Sequence, residues 1–283
     1  MTHQLSPDHR KMLEEGSGIA PEVIAERGYQ TCSGYSELKS LGIPARRGDD
    51  CAGLLMPVWR VDGTAASHLV VKDNRHVPHT IFRPDHPVIT SDGRERKYVN
   101  PTASKVRLDA HPRCTAALRD PARLLWVTEG IKKGDSLVSQ GACAIALLGV
   151  DCWRVPDWAD VVLKGRAVGI VFDSDLMGKP AVQKALTALT AYLTYKGAQV
   201  QHIYLPATGG HKMGVDDFLV ARPLAALEGL LEPPRGTAQA ALLPSEAWRT
   251  QLGNVRDTCN FSLLGQCPAK CTLLDSLYIL LSL

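Results

Sequence analysis

Four acidic positions carry the chemistry this sequence is able to do: Glu129, Asp173, Asp175 and Asp217. Glu129 closes the apolar run LLWVTE (124–129) and is followed by Gly130, while Asp173-Ser174-Asp175 closes RAVGIVFDSD (166–175). Asp216-Asp217 stand after a Gly-rich loop, at the start of GVDDFLVA. In extended chain, the carboxylates of Asp-x-Asp point the same way. Carboxylate oxygens suit Mg²⁺, with Mn²⁺ as a substitute, because such an ion keeps several waters and bridges to phosphate oxygens. Gly130 lets the backbone come close to a ligand at a helix start. Lys132 and Lys133 follow at once, where they face either solvent or a phosphate. A cluster of four acids repels itself unless a cation occupies it. Singly, each motif has a bland reading: a solvated strand end, or for Asp216-Asp217 a helix cap. Their succession on consecutive strand ends favours a metal site.

The elements that must hold these acids follow from the hydrophobic pattern. Residues 124–129, 142–149, 167–173 and 199–205 read as apolar strands, separated by helical stretches at 132–140 and 180–196 and followed by a helix at 214–221. Strands alternating with helices predict an α/β fold, a mostly parallel sheet flanked by helices, with its chemistry at the carboxyl ends of the strands. Before residue 124 the pattern is mixed α and β. Short helices are expected within 6–41, opened by Ser6-Pro7 and Pro21, and a hairpin is expected over 52–73 around Asp62-Gly63. The resulting division is a basic subdomain over 1–123, an α/β domain over 124–231, and a linker with a weakly structured tail over 232–283.

Net charge is +3 over 283 residues, but it is unevenly spread. Residues 72–133 hold 13 Lys and Arg against 7 Asp and Glu. Arg83, Arg94, Arg96, Lys97, Lys105 and Arg107 fall around Tyr98. Such a segment predicts a groove that tracks a phosphate backbone toward the acids, with Tyr98 as a ring on which a base stacks. An anionic partner is expected there. No apolar stretch approaches the roughly 18 residues of a spanning helix, and the first residues lack a signal-peptide pattern. A cytoplasmic protein without a membrane partner is expected. The eight cysteines form no CxxC and read as reduced thiols. Walker GxxxxGK[ST] and GxGxxG are both missing.

Strand-Glu-Gly, then strand-Asp-x-Asp, then a further acidic motif resembles the Toprim pattern of bacterial-type primases, type IA and II topoisomerases and overcoming-lysogenization-defect-type nucleases. More closely, LLWVTEGIKKGDSLVSQGACAIALLGVDCW, RAVGIVFDSDLMGKPAVQKAL and GGHKMGVDDFL look like the family called domain of unknown function 3854. Proteins of that family occur in the replication systems of phages, plasmids and integrative elements. MPVWRVDGTAASHLVV (56–71) followed by RKYVNP (96–101) also resembles the basic subdomain that precedes Toprim in bacterial primases, with its Lys-Tyr-hydrophobic-Asn motif here at Lys97, Tyr98 and Asn100. The chain departs from primases at the fourth position after the Glu, where an Asp is usual and Lys133 stands here, with Asp135 two residues later.

The resemblance implies a primase-like replication protein performing nucleotidyl transfer on a single-stranded template. Two Mg²⁺ ions would be held by Glu129, Asp173, Asp175 and Asp217, with Glu129 alternatively the general base. Single-stranded DNA, nucleoside triphosphates and a separate helicase are the implied partners. Arg83, Arg96, Lys97, Tyr98, Asn100, Lys132 and Lys133 would contact nucleic acid or nucleotide. A Toprim-type nuclease and a non-catalytic nucleic-acid-binding or loading module are the alternatives.

Overall fold

Proline and glycine punctuate the first helices. Ser6 Oγ accepts from the His9 amide at 3.2 Å and Pro7 starts α1 (Pro7–Ser17), which Gly18 ends in the left-handed conformation. Pro21 likewise starts α2 (Pro21–Arg27). The structure is a computed structural model that describes residues 5–72, 74–89, 93, 95–174, 179–206 and 212–231. Asp175, Arg94 and the whole tail from residue 232 lie outside the described residues.

Strand β1 (Gln30–Thr31), helix α3 (Tyr35–Ser40) and strand β2 (Gly53–Pro57) follow. Next come β3 (Ser67–Val70), β4 (Arg75–Pro78), β5 (Thr80–Pro84), β6 (Val88–Ile89), β7 (Glu95–Arg96) and β8 (Leu108–Asp109). The hairpin expected over 52–73 forms only at its tip. Asp62 Oδ1 accepts from the Thr64 amide at 2.9 Å and Gly63 takes the positive φ the turn needs. Ala66 N donates to Val58 O at 2.9 Å, and there the two arms part. His79 enters between them: Val58 N donates to His79 O and His79 N donates to Ala66 O. Strand β2 then pairs antiparallel with β5, and β3 with β4. The reason is burial. β2 is buried along almost its whole length and needs the equally buried β5, whereas β3 alternates exposed and buried and suits a surface ribbon.

The second half is more regular. It runs β9 (Leu125–Glu129), α4 (Ile131–Ser139), β10 (Cys143–Leu147), β11 (Ala167–Val171), α5 (Pro180–Tyr195), β12 (Gln199–Ile203), α6 (Val215–Ala221) and α7 (Leu224–Glu228). The sheet order is β12-β11-β9-β10-β8. The four expected strands are mutually parallel, and β8 joins antiparallel at the edge. This is the anticipated α/β sheet, with Glu129 in register beside Leu147 at the carboxyl end. One apolar core runs from Leu13 in α1 through the sheet to Leu227 in α7. A smaller cluster of Cys32, Leu38, Ile43, Cys51, Leu55, Phe82 and Val99 underlies the β1-β2-β5 sheet. Among the described residues, the cysteines are free thiols, and no helix is long and apolar enough to cross a membrane.

Candidate functional site

The sheet ends in a cleft of about 240 Å³ whose lining includes Tyr98, Asn100, Glu129, Lys133, Asp173 and Lys212. Each side chain arrives there for a local reason. Glu129 is the last residue of β9, and Gly130 turns the chain into α4 with φ 92°, a conformation that Gly alone adopts freely. Lys133 therefore sits in the first turn of α4. Asp173 follows β11, and the next residue ties it to the far loop: Ser174 N donates to Met213 O at 3.0 Å and Met213 N donates to Ser174 Oγ at 2.9 Å. That pairing brings Lys212 to the site. Tyr98 and Asn100 flank Val99, which is stitched to Phe82 by two backbone hydrogen bonds of 2.8 and 3.0 Å.

Asp173 is 3% exposed and lies between two ammonium groups. Lys133 Nζ stands 3.0 Å from Oδ1 and donates to Oδ2 at 3.2 Å, and Lys212 Nζ is 2.7 Å from Oδ2. Burial pulls the Lys133 ammonium toward deprotonation, but the Asp173 and Asp216 carboxylates outweigh it and hold Lys133 above the usual lysine value. For Lys132 burial prevails over the attraction of Asp216, so its value falls. Lys132 turns away from the cleft and donates to Ser17 Oγ at 2.9 Å, and Ser17 in turn donates to Asp216 Oδ2 at 3.2 Å.

The two acids of α6 divide their work. Asp217 is exposed, and its Oδ2 accepts from the Gly214 amide at 2.8 Å, the helix-capping role. Asp216 points inward at 8% exposure. Gly214 is needed for closeness: a Cβ there would lie 2.5 Å from Asp216 Oδ1 and 2.7 Å from Lys133 Cε.

The basic segment is split by the fold. Tyr98, 43% exposed, and Asn100 enter the cleft. Arg96 and Lys97 are exposed, and Arg96 lines a separate depression with Arg46 and Asp49. Arg83 is half-buried, with Nη1 3.1 Å from Met12 Sδ. Lys212 and Ser17 were missed from sequence, and of the Asp216-Asp217 pair it is Asp216, not the expected Asp217, that turns inward. Lys212 belongs to no strand or helix, and Ser17 is 199 positions from its partner Asp216.

The donor chemistry fits one divalent cation. Glu129 and Asp173 offer oxygens to one cleft, and the buried Asp173 Oδ1, though 3.0 Å from Lys133 Nζ, receives no well-directed hydrogen bond among the described residues. The arrangement does not fit two. No three His, Cys, Asp or Glu side chains converge among the described residues, and ammonium groups flank Asp173 on both oxygens.

Residues 116–225 match the family model of the domain of unknown function DUF3854. An uncharacterized protein of Picosynechococcus sp. is 27% identical over 279 aligned residues, which cover 80% of this chain but 27% of that relative, so the chain spans about a quarter of its length. The Aquifex aeolicus primase, in a structure of its zinc-binding and RNA polymerase domains, superposes with a TM-score of 0.53 at 15% identity, covering 80% of this chain and 55% of that one. The RNA polymerase domain of Mycobacterium tuberculosis primase, in complex with double-stranded DNA, superposes with a TM-score of 0.52 at 18% identity, covering 80% and 74%. Residues 116–225 are thus similar to the DUF3854 family model, and the described part of the chain has the fold of the RNA polymerase domain of bacterial primases.

Proposed function

We propose that the chain is a primase-like replication protein of a phage, plasmid or integrative element, which joins nucleotides on a single-stranded DNA template. The observation that carries this reading is the convergence of Tyr98 and Asn100, from the basic segment, with Glu129, Lys133 and Asp173 in one cleft. In this reading the residues before 124 guide the template and residues 124–231 house the reaction. Tyr98 stacks a base at the mouth, and Arg96 and Lys97 neutralise phosphates outside it. The hydroxyl of one nucleotide forms a bond to the α-phosphorus of the next, and pyrophosphate leaves. Lys133 and Lys212 balance charge on the phosphates. Glu129 and Asp173, with Asp175 from outside the described residues, would hold one Mg²⁺ or Mn²⁺, which when bound neutralises the triphosphate.

Incubation with single-stranded DNA, Mg²⁺ and nucleoside triphosphates tests the reaction. New short oligonucleotides that vanish with Glu129→Gln are expected. Fragments of the input strand would assign a nuclease instead, and DNA binding without any product would assign a loading module. A helicase supplied in trans is expected to raise the yield of oligonucleotides.

The template path has its own test. Affinity for single-stranded DNA should fall with salt, with a log–log slope of about −0.7 per phosphate contact. Replacing Arg96 and Lys97 together by Ala should weaken binding and flatten that slope by about one unit or slightly more. Unchanged affinity and slope would place the path elsewhere.

A further inference from the structure

The ammonium of Lys133 already fills the role of a cation at Asp173. It lies within 3.2 Å of both carboxylate oxygens, and Lys212 lies 2.7 Å from one of them. Gly214 makes room for this placement: a Cβ there would be 2.7 Å from Lys133 Cε. Among the described residues lining the cleft, Glu129 and Asp173 are balanced by Lys133 and Lys212, so no excess negative charge draws in two divalent ions. An ammonium also carries three donors. The two contacts to Asp173 leave the Lys133 ammonium one N–H for a phosphate oxygen. A carboxylate at position 133 would change the local charge by two units and favour metal over phosphate.

We propose that Lys133 is a built-in cation that takes the place of a second divalent ion at Asp173, so that the cleft takes at most one such ion and grips a triphosphate directly through Lys133. The proposal rests on the nucleotide-binding reading above and adds to it the division of labour between lysine and metal.

The test counts bound Mn²⁺ by electron paramagnetic resonance on the full chain, wild type against Lys133→Asp. A stoichiometry one higher in the Asp variant is expected. Two ions in the wild type, or equal numbers in both proteins, overturns the proposal. No ion in the wild type with one in the variant supports it while removing the single-ion part of the proposed function. One ion in each does the reverse. A second measurement stands if the Asp variant does not fold: calorimetric binding of inorganic triphosphate in EDTA, wild type against Lys133→Ala. Loss of one charge-assisted contact should weaken binding roughly tenfold or more. Equal metal-free affinity in the two proteins overturns direct phosphate contact by Lys133.

Discussion

Arg27→Met is expected to cost the fold about 3–5 kcal/mol, the penalty for breaking a buried ion network from one side. Arg27 is 1% exposed. Its Nη1 donates to Asp109 Oδ1 at 2.6 Å, its Nε donates to Asp135 Oδ2 at 2.9 Å, and its Nη2 makes a further close bond to Asp135. Tyr29 adds a hydroxyl bond to Asp135 at 2.8 Å, and the Trp59 amide donates to Asp109 at 2.9 Å. Burial pushes Asp109 up to about 6 even with the guanidinium in place. Without Arg27, two buried carboxylates face each other uncompensated and must take up protons. A carboxyl whose folded pKa lies above its unfolded value stabilises below the unfolded value, and the contribution is lost as pH rises through the folded one. The deficit of the variant should therefore be smaller at pH 5 than at pH 7. Urea melts at the two pH values read this directly, and an equal loss at both would show that lost packing, not uncovered charge, dominates.

The network also bears on the cleft. Asp135 and Lys133 are two residues apart on α4, about 200° around the helix. Arg27 therefore holds one face of α4 while Lys133 uses the other. Fixing the rotation of α4 through Asp135 fixes where the Lys133 ammonium meets Asp173. An acid and a base that lie almost adjacent in sequence thus serve opposite sides of one element.

That geometry explains what sequence made legible and what it did not. The four parallel strands could be read because each is a short apolar run bounded by Gly, Pro or charge, and the observed strands fall within the expected spans. Glu129 and Asp173 followed from the rule that strand ends collect chemistry, and both line the cleft. The pairing of β2 with β5 was hidden, because Asp62-Gly63 is a sound turn whose arms separate only when His79 competes for their backbone groups. Periodicity also could not say that Asp216 turns inward while Asp217 caps, since the helix start sets that by a single residue. The ion pairs at Asp173 come from Lys133 and from Lys212, the latter outside any strand or helix. Asp175 and the tail cysteines Cys259, Cys267 and Cys271 fall outside the described residues.

His79 should make the fold acid-sensitive. It is 2% exposed, its ring sits edge-on to His68 with centroids 5.7 Å apart, and neither of its ring nitrogens has a hydrogen-bond partner among the described residues. Burial, with smaller contributions from His68 and Arg107, pushes its pKa down to about 4. The folded state then keeps the ring neutral while the unfolded chain takes a proton near the ordinary value of about 6.5. Stability from this residue is complete above pH 6.5 and is lost progressively as pH falls toward 4. A depression of that size amounts to about 3 kcal/mol across the window. His68 and His111 are shifted the same way by burial, so they add to the slope. His79→Leu, which fills similar space without a titrating group, should flatten the decline between pH 6.5 and 4 but not abolish it. Denaturant midpoints at pH 7, 6, 5 and 4 distinguish the outcomes, and parallel curves for the two proteins would mean that His79 finds a proton-tolerant setting in the folded state. The consequence reaches function because His79 lines a cavity of about 170 Å³ together with Asn100 and Lys105, and Asn100 also lines the acidic cleft. If charging His79 loosens the wall that carries Asn100, the nucleotide binding proposed above should fall over the same pH interval as stability.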